Sequence, residues 1–486
     1  MKLLTRIEKS KNFWFLFILL FGFFLLRLPS LIEPYWYGDE GIYQTIGLAI
    51  RDGKLLYRDI WDNKPPLLYL AYALFWSDQF AVRAFSLCLG TLSLISFFFL
   101  AKNLFKQQKT VWTTTTLYGI LFGLPILEGN IANSENFMLL PIISASYLLI
   151  RSVAKSYKNM LPFFGAGLLL GIALLFKVVA VFDFAALLLF LFFVERKKSP
   201  IVKTAIGFTV GFLLPMSLAA AFFLSNGAFS EFFSASFTQN VGYVGYGNKF
   251  LFANGLLVVK LFFMGAFLLF LFIKRNSIFP SHLFIFVWLA FSLYNAFFSQ
   301  RPYTHYLLVL LPSFCLWIGL VGETILRKQR ERTIIYTLIT GVLLFLLSQN
   351  FWVYGKITSY YQNALLFLTN KKSVEDYQAF FDRKTPHDYQ IAQFIKGRRT
   401  KNEAVFIWGN NAQVYVLSQT LPPGRFTVAY HMTYSKESLK ETASILQETK
   451  PRFLIVMSYM DPIPFTLSGY TPRITLTQAT IYERRF

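Results

Sequence analysis

The residues best suited to chemistry crowd into one stretch, Pro34–Pro66, which reads PYWYGDEGIYQTIGLAIRDGKLLYRDIWDNKPP. It carries Asp39, Glu40, Asp52, Asp59 and Asp62 beside Arg51, Lys54, Arg58 and Lys64, among several aromatic rings. A carboxylate can take the proton of an attacking hydroxyl, and a lysine can bind a phosphate. Asp39 and Glu40 stand where a helix would begin: Ile42, Ile46, Ala49 and Ile50 form one apolar face, and Gly53 offers a stop. Acids at a helix start are favoured by the dipole alone. That does not account for so much charge between two apolar runs. The helix is expected to lie on the membrane surface. Lys64-Pro65-Pro66 then opens a second apolar helix, Leu67–Trp76, where proline fixes the backbone at the start. At the membrane surface Lys64 either pairs with a lipid phosphate or simply snorkels.

Three further places carry polar chemistry next to apolar runs. Asn133-Ser134-Glu135-Asn136 sets Glu135 at the mouth of a span, either as a first-turn acid behind an Asn or Ser cap or as a second working carboxylate. Lys177 falls between two apolar runs with no loop around it, a costly position unless the charge is paired or put to use. Arg301-Pro302-Tyr303-Thr304-His305-Tyr306 opens another span, with Arg301 and His305 suited to phosphate or to a sugar hydroxyl, and His305 equally to a cap. Two other signals read as packing or as interface. Gly165, Gly167 and Gly171 lie inside a span and suit close helix contact. Gly242–Gly247 reads as a flexible loop whose tyrosines belong to an aromatic belt.

The elements that must position these groups follow from composition. Of 486 residues, 55% are hydrophobic and 15% charged, with a mean hydropathy of +0.47. A soluble chain carries about 25% charged residues, so a soluble enzyme, a disordered chain and a secreted disulfide scaffold are excluded. Eleven spans are expected, near 12–28, 80–101, 112–127, 137–150, 161–176, 178–194, 203–224, 252–273, 281–298, 305–325 and 333–351. The net charge of +22 reflects topology rather than nucleic-acid binding. Twenty Lys and Arg residues fall in one set of alternate loops (Lys2, Arg6, Lys9 and Lys11; Lys102, Lys106 and Lys109; Arg151, Lys155 and Lys158; Arg196, Lys197, Lys198 and Lys203; Lys274 and Arg275; Arg327, Lys328, Arg330 and Arg332). Seven fall in the other, including Lys64, Lys177 and Arg301. By the positive-inside rule the N-terminus is cytoplasmic and the C-terminus extracytoplasmic. Asp39, Glu135, Lys64, Arg301 and His305 then share the external side. Asp39, Glu135 and Lys64 are expected to line one external cavity. Cys88 and Cys315 lie in spans, which disfavours a structural disulfide or a thiolate metal site.

From about residue 352 the chain reads as a small α/β domain. Strands are expected at Glu403–Trp408, Phe426–Tyr430, Arg452–Ser458 and Arg473–Arg484, and helices at Pro386–Lys401 and Ser435–Lys450. The fold class is therefore a polytopic α-helical membrane protein with about eleven transmembrane helices over residues 1–351, its first external loop at 29–79, and an extracytoplasmic α/β domain over residues 352–486.

Gly38-Asp39-Glu40 with Tyr43, Lys64-Pro65-Pro66-Leu67 with Tyr69, Ala81-Val82-Arg83, Glu135, Gly171-Ile172-Ala173 with Lys177, and His305-Tyr306 together resemble the glycosyltransferase C superfamily. The branch most alike is family 39, which includes protein O-mannosyltransferases and the aminoarabinose transferase of lipid A. The resemblance covers about residues 12–325. It implies transfer of a sugar from a polyprenyl-phosphate donor to an extracytoplasmic acceptor, a glycan, lipid or protein hydroxyl, usually with inversion. The family's first-loop aspartate falls on Asp39, its second carboxylate on Glu135, its phosphate-contacting lysine on Lys64 and its tyrosine on Tyr43. The aminoarabinose branch has an acid before the lysine, associated with a metal, and an arginine in the preceding helix. Asn63 and Ile42 stand there in this chain. No cofactor is implied with certainty, and a divalent metal is left open but unsupported.

The expected site is then Asp39, Glu40 and Glu135 as catalytic groups, with Lys64, Tyr43, Lys177, Arg301 and His305 on the donor phosphate. The expected partners are the polyprenyl-phosphate sugar, the bilayer of the cell membrane and the acceptor, with no nucleic acid. Competing readings are a glycan polymerase or ligase, a lipid-linked sugar flippase, and a non-catalytic membrane receptor or assembly protein. A flippase would carry charges along several spans, whereas Asp183, Lys260 and Glu323 are isolated or near ends. A polymerase or ligase would place its charged loop late, whereas here it comes first.

Overall fold

The computed structural model describes residues 11–154, 159–194, 198–249, 254–400 and 403–485. Lys2, Arg6, Lys9, Lys155, Lys158, Arg196, Lys197, Lys401 and the first two residues of the 252–273 span lie outside them. Eleven helices stand where the eleven spans were expected: Lys11–Arg27, Gln79–Leu104, Gln108–Gly123, Ser134–Ala154, Leu161–Phe176, Val181–Val194, Lys198–Ser225, Gly255–Lys274, Pro280–Ala296, Leu311–Leu326 and Arg330–Asn350. Among the described residues, six helical stretches are long and apolar enough to cross a membrane, and Leu161–Phe176, Val178–Val194 and Leu311–Leu326 are shorter apolar ones. The chain is a polytopic helical membrane protein with a small C-terminal sheet. Gly242–Gly247, expected as a loop, lies within a helix, Gln239–Gly247.

The chain divides into two compact units. The first comprises Met1–Leu28, Phe85–Phe222 and Phe237–Ile357 and holds most of the apolar helices. There the Leu161–Phe176 and Lys198–Ser225 helices meet backbone to backbone. A Cβ on Gly167 would collide with the Phe208 carbonyl, and one on Gly171 with the Phe212 carbonyl and the Pro215 ring. Glycine permits this approach where side chains would hold the helices apart. Gly165 makes no such contact; a Cβ there would meet only Leu148, at 4.0 Å.

The second unit comprises Pro29–Ala84, Phe223–Ser236 and Thr358–Phe486, so the first loop packs with the C-terminal residues. Its sheet runs in the order β1-β2-β4-β3, with β1 at Val405–Trp408, β2 at Phe453–Met457, β3 at Tyr470–Leu476 and β4 at Ala479–Arg484. β1 and β2 are parallel; β2 with β4 and β4 with β3 are antiparallel. Ile391, Ile395, Val405, Ile407, Val414, Phe453, Ile455 and Ile481 form the core between sheet and helices. The helices Thr385–Lys396 and Lys436–Thr449 fall as expected. The expected strand Arg473–Arg484 is instead the hairpin of β3 and β4. Alternation was visible on both arms, but the turn at Thr477-Gln478 lacks the glycine or asparagine that marks one. Phe426–Tyr430 is not a strand. Just before it Arg425 O accepts the Trp61 backbone N–H at 2.9 Å, and within it Ala429 N–H donates to Gly409 O at 2.9 Å where the short Ala429–Met432 helix begins.

Candidate active site

In the second unit the Gly38–Arg51 helix carries Asp39, Glu40 and Tyr43. It ends as its sequence requires, with Gly53 at φ +86°. Ile42, Ile46 and Ala49 are buried, so this face packs on protein and is not left for lipid. Two glycines allow the packing. A Cβ on Gly47 would strike the Ser77 hydroxyl, and one on Gly41 would lie 2.6 Å from the Gln413 nitrogen. Thr45 donates to the Ala412 carbonyl at 3.0 Å, which ties the same helix to the C-terminal residues.

The next helix, Pro66–Leu74, begins at the double proline and presents Lys64 just before it. Lys64 Nζ lies 3.7 Å from Asp39 Oδ2 and 3.7 Å from Asp62 Oδ2, and 4.8 Å from the centre of the Tyr43 ring. Tyr43 donates its hydroxyl to Asp39 at 3.0 Å. Asp39 is 37% exposed at its side chain, Lys64 21% and Asp62 2%. Of the two carboxylates beside Lys64, Asp39 is therefore the one open to solvent. The lysine backbone is fixed on both sides: Tyr57 donates to the Lys64 carbonyl at 2.8 Å, and Lys64 N–H donates to the Tyr69 oxygen at 3.2 Å. Tyr69 donates in turn to Asp62 at 2.7 Å. Burial, reinforced for Tyr69 by Asp62, holds both phenols well above their usual range, so both remain hydroxyl donors.

Glu40 faces the other way. It is 1% exposed, and Arg83 grips both its oxygens, Nε donating to Oε1 at 3.0 Å and a terminal nitrogen to Oε2. Arg83 also pairs with Glu33 at 2.8 Å and donates to the Ser30 carbonyl at 2.8 Å. Glu33 accepts from Tyr360 at 2.6 Å. Neighbouring acids on one helix thus meet different surroundings, because successive helical positions point about 100° apart.

In the first unit the helix Leu161–Phe176 breaks at Lys177, whose φ of −157° is extended. The break accounts for a lysine without a loop. Its ammonium pairs with Glu135, in the first turn of Ser134–Ala154, and lies 4.5 Å from the centre of the Tyr306 ring. His305 Nε2 lies 3.9 Å from Glu135, and its Nδ1 lies 2.9 Å from Glu128 Oε2. Glu135, Lys177 and His305 are thus brought together. Arg301 is half-buried and lies four residues before His305. Among the described residues no cluster of three or more His, Cys, Asp or Glu side chains is arranged to hold a metal ion. The two nitrogens of His305 address two separate carboxylates rather than sharing a centre.

Residues 64–225 match the family model described as dolichyl-phosphate-mannose-protein mannosyltransferase, a match that begins at Lys64. The structure is similar to ArnT from Cupriavidus metallidurans bound to undecaprenyl phosphate, with a TM-score of 0.55 at 13% identity, covering 97% of this chain and 98% of that one. It is also similar to the Archaeoglobus fulgidus oligosaccharyltransferase in complex with zinc and sulfate, with a TM-score of 0.50 at 13% identity, covering 91% of this chain and 68% of that one. By fold the chain is similar to these membrane proteins, and the family match falls on residues 64–225. Comparison with curated protein sequences gives no match.

Three side chains were not singled out as site residues from sequence: Asp62 behind Lys64, Glu128 behind His305, and His431. Asp62 was visible as one acid of the charged loop. Glu128 and His431 had no local signal, because their partners lie 177 and 369 residues away in the chain.

Proposed function

We propose that the chain is an integral membrane glycosyltransferase that moves a sugar from a polyprenyl-phosphate donor to a hydroxyl of an acceptor outside the cytoplasm. The observation that carries this reading is the pair Asp39 and Lys64, a partly exposed carboxylate and an ammonium 3.7 Å apart. An ammonium between two carboxylates is suited to a phosphate, whose oxygens accept the same N–H bonds. Asp39 takes the proton of the acceptor hydroxyl. The hydroxyl oxygen bonds to the anomeric carbon as the bond from that carbon to the phosphate oxygen breaks. The electron pair leaves with the polyprenyl phosphate, whose growing charge Lys64 offsets. Tyr43 orients Asp39, and Glu40 is a positioning residue that locks the helix through Arg83. In the first unit, Glu135, Lys177 and His305 form a charged group of their own, with Arg301 nearby in sequence. The charge asymmetry of the loops supports a cytoplasmic N-terminus and an extracytoplasmic domain over residues 352–486.

The test uses a labelled polyprenyl-phosphate sugar and a panel of acceptors. Asp39→Asn should lower turnover by about 10²–10⁴-fold with donor binding largely intact, because the amide keeps the shape and removes the base. Lys64→Ala should weaken donor binding as well as turnover. Wild-type turnover in Asp39→Asn would remove Asp39 from this role and leave Glu135 as the leading base. Failure of the wild type to bind any polyprenyl-phosphate sugar would favour the receptor reading.

A further inference from the structure

His431, at the end of the short helix Ala429–Met432, is 5% exposed and lies beside the first loop. Its Nε2 is 3.5 Å from Asp62 Oδ1. Its ring stands edge-on to Trp61, with centroids 4.8 Å apart, and to Tyr430 at 4.4 Å. The Trp61 N–H donates to Arg425 O at 2.9 Å, so loop and imidazole are held in register from the same C-terminal segment. Burial pulls the imidazole down to about 4, so it is neutral at pH 7. The carboxylate at Nε2 selects the tautomer with Nε2–H, because a bare nitrogen would repel it. Nδ1 is then an acceptor, and it is buried with no hydrogen-bond partner among the described residues.

Asp62 is a carboxylate that must be compensated, being 2% exposed. It accepts from Tyr69 at 2.7 Å and from the Asn63 N–H at 2.8 Å, and it shares Lys64 with Asp39. A phosphate arriving at Lys64 competes with Asp62 for that ammonium. Resting on the proposed function, we propose that His431 is a positioning residue supplied by the C-terminal segment, whose imidazole N–H offsets Asp62 so that Lys64 can turn to the donor phosphate. The role needs an N–H donor and no charge, which a neutral histidine provides. It gives residues 352–486 a part in donor binding that none of their own residues displays as a motif.

The experiment measures binding of undecaprenyl phosphate, against undecaprenol as the uncharged control, to the full-length protein in lipid nanodiscs. His431→Ala should weaken the phosphate lipid by about tenfold, because the buried Asp62 carboxylate loses the imidazole N–H 3.5 Å away and holds Lys64 harder. It should leave undecaprenol unchanged. His431→Gln, which keeps an N–H near Nε2, should stay within about threefold of wild type. In an Asp62→Asn background, His431→Ala should have no further effect, since the charge it offsets is gone. If His431→Ala does not fold, His431→Leu fills the volume without a donor and carries the same expectation. Wild-type affinity in His431→Ala or His431→Leu, with affinity lost in Lys64→Ala, overturns this inference and leaves the proposed function standing. Equal loss in the alanine and glutamine variants also overturns it, because that is the mark of packing alone. No preference of the wild type for the phosphate over the alcohol overturns the proposed function and this inference together.

Discussion

Arg83→Ala should destabilise the second unit far more than its surroundings suggest. The guanidinium holds Glu33 at 2.8 Å, both oxygens of Glu40, and the Ser30 carbonyl at 2.8 Å, all without solvent. Removing it leaves two buried carboxylates, and breaking even one buried pair in this way costs about 3–5 kcal/mol. Glu40→Ala should cost less, because Arg83 keeps Glu33 and the Ser30 carbonyl and one broken pair is left instead of two. At about 2–4 °C per kcal/mol for a unit of this size, Arg83→Ala should melt about 10 °C or more below wild type. The assay is thermal unfolding of the detergent-solubilised protein, followed by hydrogen exchange at the Gly38–Arg51 helix. The triple variant Arg83→Met, Glu33→Gln, Glu40→Gln should recover most of the loss, because no uncompensated charge remains. Unfolding of Arg83→Ala within about 3 °C of wild type would refute the reasoning, as would a Glu40→Ala variant that unfolds earlier than Arg83→Ala.

Asp388 offers a pH test. Burial pushes its carboxyl from 3.8 up to about 7, despite hydrogen bonds from Asn411 and Gln413 at 2.7 Å each. The folded state therefore holds a proton that the unfolded state has lost, and stability falls as pH rises from about 4 to about 7, by about 4 kcal/mol at most. Asp388→Asn should flatten that slope in a melting-temperature series and exceed wild type at pH 8; an unchanged slope would count against it. Gly41→Ala should lower turnover by shifting the helix that carries Asp39, since its Cβ would lie 2.6 Å from the Gln413 nitrogen; full activity would show that the helix position is not critical. Gly167→Ala should reduce the yield of folded protein by prying the Leu161–Phe176 helix from Phe208, whereas Gly165→Ala, whose Cβ would only touch Leu148 at 4.0 Å, should not.

Much of this architecture was legible before any coordinates. Apolar runs too long for a soluble core located all eleven helices, because a segment with no charge to solvate has few alternatives to a helix in lipid or protein. Local rules located the Gly38–Arg51 helix, its Gly53 stop and the proline start after Lys64, since each depends on residues within one or two turns. Lys64 beside Asp39 could be guessed because both lie in one short loop. What neighbours in sequence cannot show is which of two adjacent acids is reachable. Asp39 and Glu40 look alike in the chain; only tertiary packing put Arg83 on Glu40 and left Asp39 open. The same holds for the Phe426–Tyr430 segment, which reads as a strand but bonds through Ala429 N–H to Gly409 O and runs into a short helix. It holds too for Glu128 on His305 and His431 on Asp62. These pairs join residues hundreds of positions apart, and a contact made by long-range folding leaves no periodicity or spacing in the sequence to read.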